Sequence, residues 1–94
     1  SDKMIGTEKQ VKWASDIKEN FINHWNSLVE KVGVKPPKAV LDWVASILEN
    51  DEAKYWIDNW SNIEKLDMKK TLLDSVGEEL EDAFFDWAEL KIGG

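Results

Sequence analysis

From Val11 to Val32 apolar side chains recur every three or four residues: Val11, Ala14, Ile17, Phe21, Trp25, Leu28 and Val32. That spacing lays one apolar stripe along a helix of about seven turns, predicted over residues 8–32. Thr7-Glu8-Lys9-Gln10 has the form of a capping box, in which the threonine caps the first turn and the glutamine reaches back. Gly33 supplies the stop. After "VKPP", Pro37 opens a second helix over 37–49, proline being tolerated in a first turn, with Val40, Leu41, Val44, Ile47 and Leu48 on its apolar face. Asn50-Asp51 is expected to end that helix and cap a third over 52–60, where Ala53, Trp56, Ile57 and Trp60 share one side. A joint at Ser61–Leu66 follows, and Asp67 is placed to cap a last helix over 68–91. Its stripe is Leu73, Val76, Leu80, Ala83, Trp87 and Leu90. No strand-like alternation, repeat or low-complexity tract interrupts this. The pattern predicts an all-α, compact four-helix domain spanning 1–94, with two long helices, two short ones and a flexible lead-in at 1–6.

The last helix combines its stripe with a dense set of carboxylates in "GEELEDAFFDWAEL". On a wheel advancing about 100° per residue from Leu73, the stripe centres near 320° and Phe84 falls near 20°, inside it. Phe85 falls near 120°, among Asp74, Glu78, Glu81 and Glu89, and is expected to project from the acidic face. In a helix starting at 68 the charges are also placed against the macrodipole, with Lys69 and Lys70 early and Asp86 and Glu89 late. Like-charge pairs Asp74–Glu78, Glu78–Asp82 and Asp82–Asp86 add small penalties. A solvated face is the plain account of such a segment, and in an irregular bundle Phe85 would instead pack on a neighbouring short helix. A partner-binding face is the functional one, with Asp74, Glu78, Glu81, Asp82, Phe85, Asp86 and Glu89 as its residues.

Charge extends this picture to the whole chain. The formal net charge is −7, from 19 acidic and 12 basic residues, and every base is lysine. Without arginine the chain lacks the preferred side chain for bidentate contact with phosphate and guanine, which disfavours direct nucleic-acid binding. There is no cysteine, hence no disulfide, thiolate or zinc–thiolate chemistry. No apolar run approaches the roughly 18 residues of a membrane span and no signal-peptide pattern is present, so the expected setting is cytoplasmic.

Six tryptophans in 94 residues call for an account. Trp25, Trp56, Trp60 and Trp87 lie on core stripes. Trp13, about 100° from the centre of its stripe, and Trp43, at the edge of its face, are border aromatics that either cap the core or anchor a partner. His24 is the single histidine. Its helical neighbours are Asn20, Phe21, Ser27 and Leu28; Ser27 is the sole nucleophile among them and no third group orients the pair, so a catalytic role is disfavoured. No ligand spacing for a metal, no EF-hand loop and no glycine-rich phosphate loop occurs. The reading is of a protein that is not an enzyme and holds no cofactor.

"GTEKQVKWASDI" (Gly6–Ile17) and "EAKYWIDN" (Glu52–Asn59) resemble two strings found in short proteins of bacteria, their phages and conjugative elements. The resemblance covers about a fifth of the chain, implies a mobile-element setting and carries no catalytic residues; the acidic C-terminal segment is not part of it. Joined with the charge pattern, it leads to the expectation of an interaction protein, of the anti-CRISPR or anti-restriction type. Such a protein would dock its acidic helix on a basic surface of a host nuclease, CRISPR effector or other DNA-binding protein. The alternative is a structural or assembly module, including a homodimer joined through exposed aromatics.

Overall fold

The computed structural model describes residues 4–61 and 77–90. These form an all-α fold of four helices: α1 (Glu8–Val32), α2 (Lys38–Leu48), α3 (Ala53–Trp60) and α4 (Glu78–Ala88). The start of α1 is the expected capping box. Thr7 Oγ1 accepts from the Gln10 N–H at 3.2 Å, and the Gln10 side-chain oxygen accepts from the Thr7 N–H at 3.0 Å. At the other end Gly33 adopts the left-handed conformation, φ 74°, and its N–H closes on the Val29 carbonyl. A side chain there would meet the steric penalty that glycine avoids.

Two boundaries differ from expectation. Pro37 precedes α2 as its cap residue, in extended backbone. The cap of α3 is Glu52, with no side-chain bond, and Asp51 plays no capping part. Asn50 does the local work instead: its Oδ1 accepts from the Glu52 N–H at 3.1 Å, the short polar turn that asparagine forms readily. A third difference lies at the N-terminus. The lead-in is fixed from Met4 onward, because Ile5 donates to the Asp51 carbonyl at 2.7 Å and accepts from the Ala53 N–H at 2.9 Å. Together these make one isolated parallel bridge between Ile5 and Glu52, and Met4 packs against the core.

The core holds the side chains that the stripes of α1, α2 and α3 assign to it. Ala14, Ile17, Phe21, Trp25, Val32, Val40, Val44, Ile47, Ala53, Trp56 and Trp60 are all buried. α1 packs along α3, and α2 against α4. Small residues let the first pair approach closely, Ala14 and Ala53 being fully buried. Aromatic rings join the layers in two groups. Phe21 meets Trp56 and Trp60 edge-on, with centroids 5.6 and 4.8 Å apart. Further along α1, Trp25 lies against Trp87 of α4 at 5.4 Å, and Trp87 meets Phe84 edge-on. Such offset and edge-to-face pairs contribute beyond the area they bury. Three buried indoles also find acceptors: Trp56 on the Asn50 carbonyl, Trp60 on the Tyr55 hydroxyl and Trp87 on the Val34 carbonyl.

The C-terminal helix is shorter than the sequence pattern predicts. Gly77 stands before it as an N-cap in extended backbone, φ −72° and ψ 163°, so no single helix runs through 68–91. Leu73 and Val76, which helped define the predicted stripe, fall outside the described residues.

Candidate partner-binding surface

The break at Gly77 re-aims α4. Its buried residues are Phe84, Trp87 and Ala88. On the wheel counted from Leu73 these lie near 20°, 320° and 60°, so the core centre sits near 10–15°, about 50° round toward Phe85. Phe85 is accordingly half-buried. It packs against the core cluster and meets Phe84 edge-on at 5.9 Å. The expected display of this ring on the acidic face is therefore corrected: Phe85 borders the core. At the opposite edge of the helix the shift works the other way. Leu90, predicted in the core stripe, is 54% exposed.

The charges also read differently. Glu78, Glu79 and Glu81 occupy the first turn of α4, where the helix dipole favours anions. Asp86 and Glu89 remain at the unfavourable end, and Glu78–Asp82 and Asp82–Asp86 remain like-charge pairs. Asp74 lies outside the described residues. Of the others, Glu78, Asp82, Asp86 and Glu89 are exposed, joined by Glu79, while Glu81 is half-buried beside Phe85. Glu78, Glu79, Asp82, Asp86 and Glu89 fill a sector from about 140° to 240°, and no basic residue interrupts α4.

Along the rim of that sector runs a groove missing from the sequence reading. Val34, Lys35 and Pro37 of the α1–α2 connection and Ala83, Asp86, Trp87 and Leu90 of the C-terminal segment line an open hollow of about 560 Å³. Its floor is fixed by the Trp87 indole N–H donating to the Val34 carbonyl oxygen at 2.7 Å. Val34 itself is 48% exposed. No sequence signal pairs residues 34 and 87. Exposed apolar side chains in a connection and at a helix end were the available hint.

The border aromatics separate. Trp13 is exposed on α1, whereas Trp43 is half-buried and packs on the core. Neither lies along the α4 groove, so the predicted site residues do not converge on one surface. His24 is exposed on α1. A second hollow of about 370 Å³, between Met4, Lys18 and the α2–α3 joint, is bordered by Asn50. Both Asn50 oxygens already accept from the fold, one from Glu52 and one from Trp56. Lys18 holds its ammonium over the Trp56 ring, 5.9 Å from the centroid, within cation–π range. On α2, Lys38 pairs with Asp42 at 2.8 Å, and the Asp42 hydrogen bond, followed by its charge, raises the lysine above its ordinary value.

Among the described residues no three histidine or acidic side chains are grouped to hold a metal ion, and no helix is long and apolar enough to cross a membrane. No protein-family model, curated protein or solved structure matches the chain.

Proposed function

We propose that this is a non-enzymatic interaction protein that docks the carboxylate face of α4 on a basic, nucleic-acid-binding surface of another protein, in the manner of a phage or mobile-element inhibitor. One observation carries the reading: Glu78, Glu79, Asp82, Asp86 and Glu89 form a contiguous acidic sector on a helix with no lysine. A row of carboxylates on a rigid helix offers a lysine- and arginine-rich channel the charge pattern of a phosphate backbone, and complementary charge accelerates and orients such an encounter. The resemblance of Gly6–Ile17 and Glu52–Asn59 to mobile-element proteins supports the setting, and host nucleases and CRISPR effectors are the target class. The protein acts in the cytoplasm in this reading and touches neither nucleic acid nor membrane directly.

The test is capture from a bacterial lysate by the immobilised protein, repeated with Glu78→Gln, Asp82→Asn, Asp86→Asn and Glu89→Gln combined. DNA- or RNA-binding proteins should be retained at low salt and released as ionic strength rises toward about 0.5 M, where screening acts within roughly 4–5 Å. The neutralised variant should retain none of them. Partners held equally by both proteins, or insensitive to salt, would defeat the acidic-face mechanism.

A further inference from the structure

We infer that the groove between the α1–α2 connection and α4 is the apolar half of the same docking surface, and that its occupant is a basic segment of the partner carrying exposed apolar side chains. The inference rests on the acidic-face reading and deepens it by naming what the partner must present. Charge alone gives rate and orientation, whereas an anchored interface needs buried apolar area. Phe85 cannot supply that area without leaving the core, because it already packs against the cluster. The groove can. Val34 and Leu90 stand 48% and 54% exposed beside Pro37 and Ala83, on a floor held by Trp87.

The occupant's charge follows from continuity of the surface. Glu79, Ala83, Asp86 and Leu90 follow one another at i, i+4, i+7 and i+11, and so form a single row along α4. The edge of the groove is thus also the edge of the acidic sector, with Asp82 and Glu89 one step further round. Among the described residues, Lys35 on the facing wall is the only base lining the hollow. A segment seated there meets apolar side chains below and several carboxylates along one flank. A helix or strand with leucine-like residues on one side and lysine or arginine on the other satisfies both. A small polar ligand does not fit, since few polar groups converge on the hollow.

The experiment uses two fluorescein-labelled peptides of about 14 residues, one with leucine and lysine at amphipathic helical spacing and one with serine replacing every leucine. Binding of each to the full chain is read by anisotropy. The leucine peptide should bind at least about tenfold more tightly than the serine peptide, tenfold being 1.4 kcal/mol. Val34→Ser with Leu90→Ser should erase that preference and leave serine-peptide binding unchanged. Leu90→Gln, at the exposed end of the helix, should do the same without touching the connection or the charge, with circular dichroism showing both variants folded. Asp82→Asn, Asp86→Asn and Glu89→Gln together should weaken both peptides. Equal binding of the two peptides overturns the groove while leaving the acidic face standing. Binding of both peptides that charge neutralisation leaves unweakened overturns the basic partner and the acidic face together. A concentration-dependent dimer that Leu90→Gln dissolves assigns the groove to a second copy of this chain. A chain ending at Leu90 that binds tenfold more tightly assigns it to residues 91–94.

Discussion

The indole N–H of Trp87 donates to the carbonyl oxygen of Val34 at 2.7 Å, across 53 residues of chain. This bond fastens α4 to the connection that follows α1, in the same place where Trp25 lies against Trp87. Trp87→Phe keeps an aromatic ring in the core but removes the donor and part of the volume. The expected loss is about 2–3 kcal/mol in urea unfolding, from an unpaired carbonyl and a cavity together. Amide exchange should quicken more in Glu78–Ala88 than in Ala53–Trp60, since α3 is held by Phe21 and not by this bond. Equal quickening in both helices would show that the bond does not serve α4 in particular.

Phe84 and Phe85 stand side by side in sequence but differ in burial, and their alanine variants should rank accordingly. Phe84 is 2% exposed, and Phe84→Ala should cost about 3–4 kcal/mol. Phe85 is half-buried against the same cluster, and Phe85→Ala should cost about 1–2 kcal/mol. A ring displayed on the acidic face would cost almost nothing. Thermal unfolding of the two variants in parallel decides between a border ring and a displayed one.

The contrast between these rings shows where the sequence was legible. The stripes of α1 and α2 named their buried residues correctly because strong local signals bound those helices: Thr7 with Gln10, Gly33, and the Pro36-Pro37 pair. The third helix, α3, lacks a side-chain cap and was legible from the spacing of Ala53, Trp56 and Trp60 alone. In the last segment the apolar spacing runs smoothly through Gly77, and spacing alone carried the predicted helix across it. Gly77 followed by Glu78 and Glu79 has the features of a helix start, a permissive cap residue with anions behind it. Once the helix begins there, Leu73 and Val76 no longer fix its orientation, and the core face turns toward Phe85. The groove was not legible at all, since it depends on where a connection and a helix end meet. The segments Gly6–Ile17 and Glu52–Asn59 meet in space, since Ile5 and Gly6 lie on Glu52 and Ala53 and α1 packs along α3, a contact that no spacing along the chain announces.

The start of α4 at Glu78 reverses a prediction about charge. With the dipole's positive end at Glu78 and Glu79, Glu78→Lys should destabilise the protein by about 0.3–1 kcal/mol. Glu89→Lys, at the negative end, should stabilise it by a similar amount, about 0.3–1 kcal/mol at low salt. Were one helix to run from 68 to 91, Glu78 would lie in its interior, and the first substitution would only relieve the repulsion from Asp82 that both helices share, with no loss from the dipole to offset it. Melting temperatures of the two variants, at low and high salt, read out the signs directly. Opposite signs that shrink with salt agree with a helix beginning at Glu78.

Gly6 permits the bridge that holds the N-terminal segment on the α2–α3 joint. Its φ is 153°, which side chains rarely adopt, and an added Cβ would come within 3.0 Å of the Ala53 Cβ. Ala53 is fully buried and sits on the backbone of α3, so it cannot swing aside as a long side chain would. Gly6→Ala must then lift residues 4–6 off the joint or strain them in place. Either way the Ile5–Asp51 and Ile5–Ala53 hydrogen bonds weaken, and Met4 loses its packing. The expected loss is about 1–3 kcal/mol, from backbone strain and the displaced contacts. Hydrogen exchange separates this from general destabilisation: the Ile5 and Ala53 amides should lose protection first, while the Val44 and Phe84 amides keep theirs. Gly6→Ala with unchanged stability and unchanged Ile5 protection would mean that the close approach to Ala53 does not govern how the segment docks.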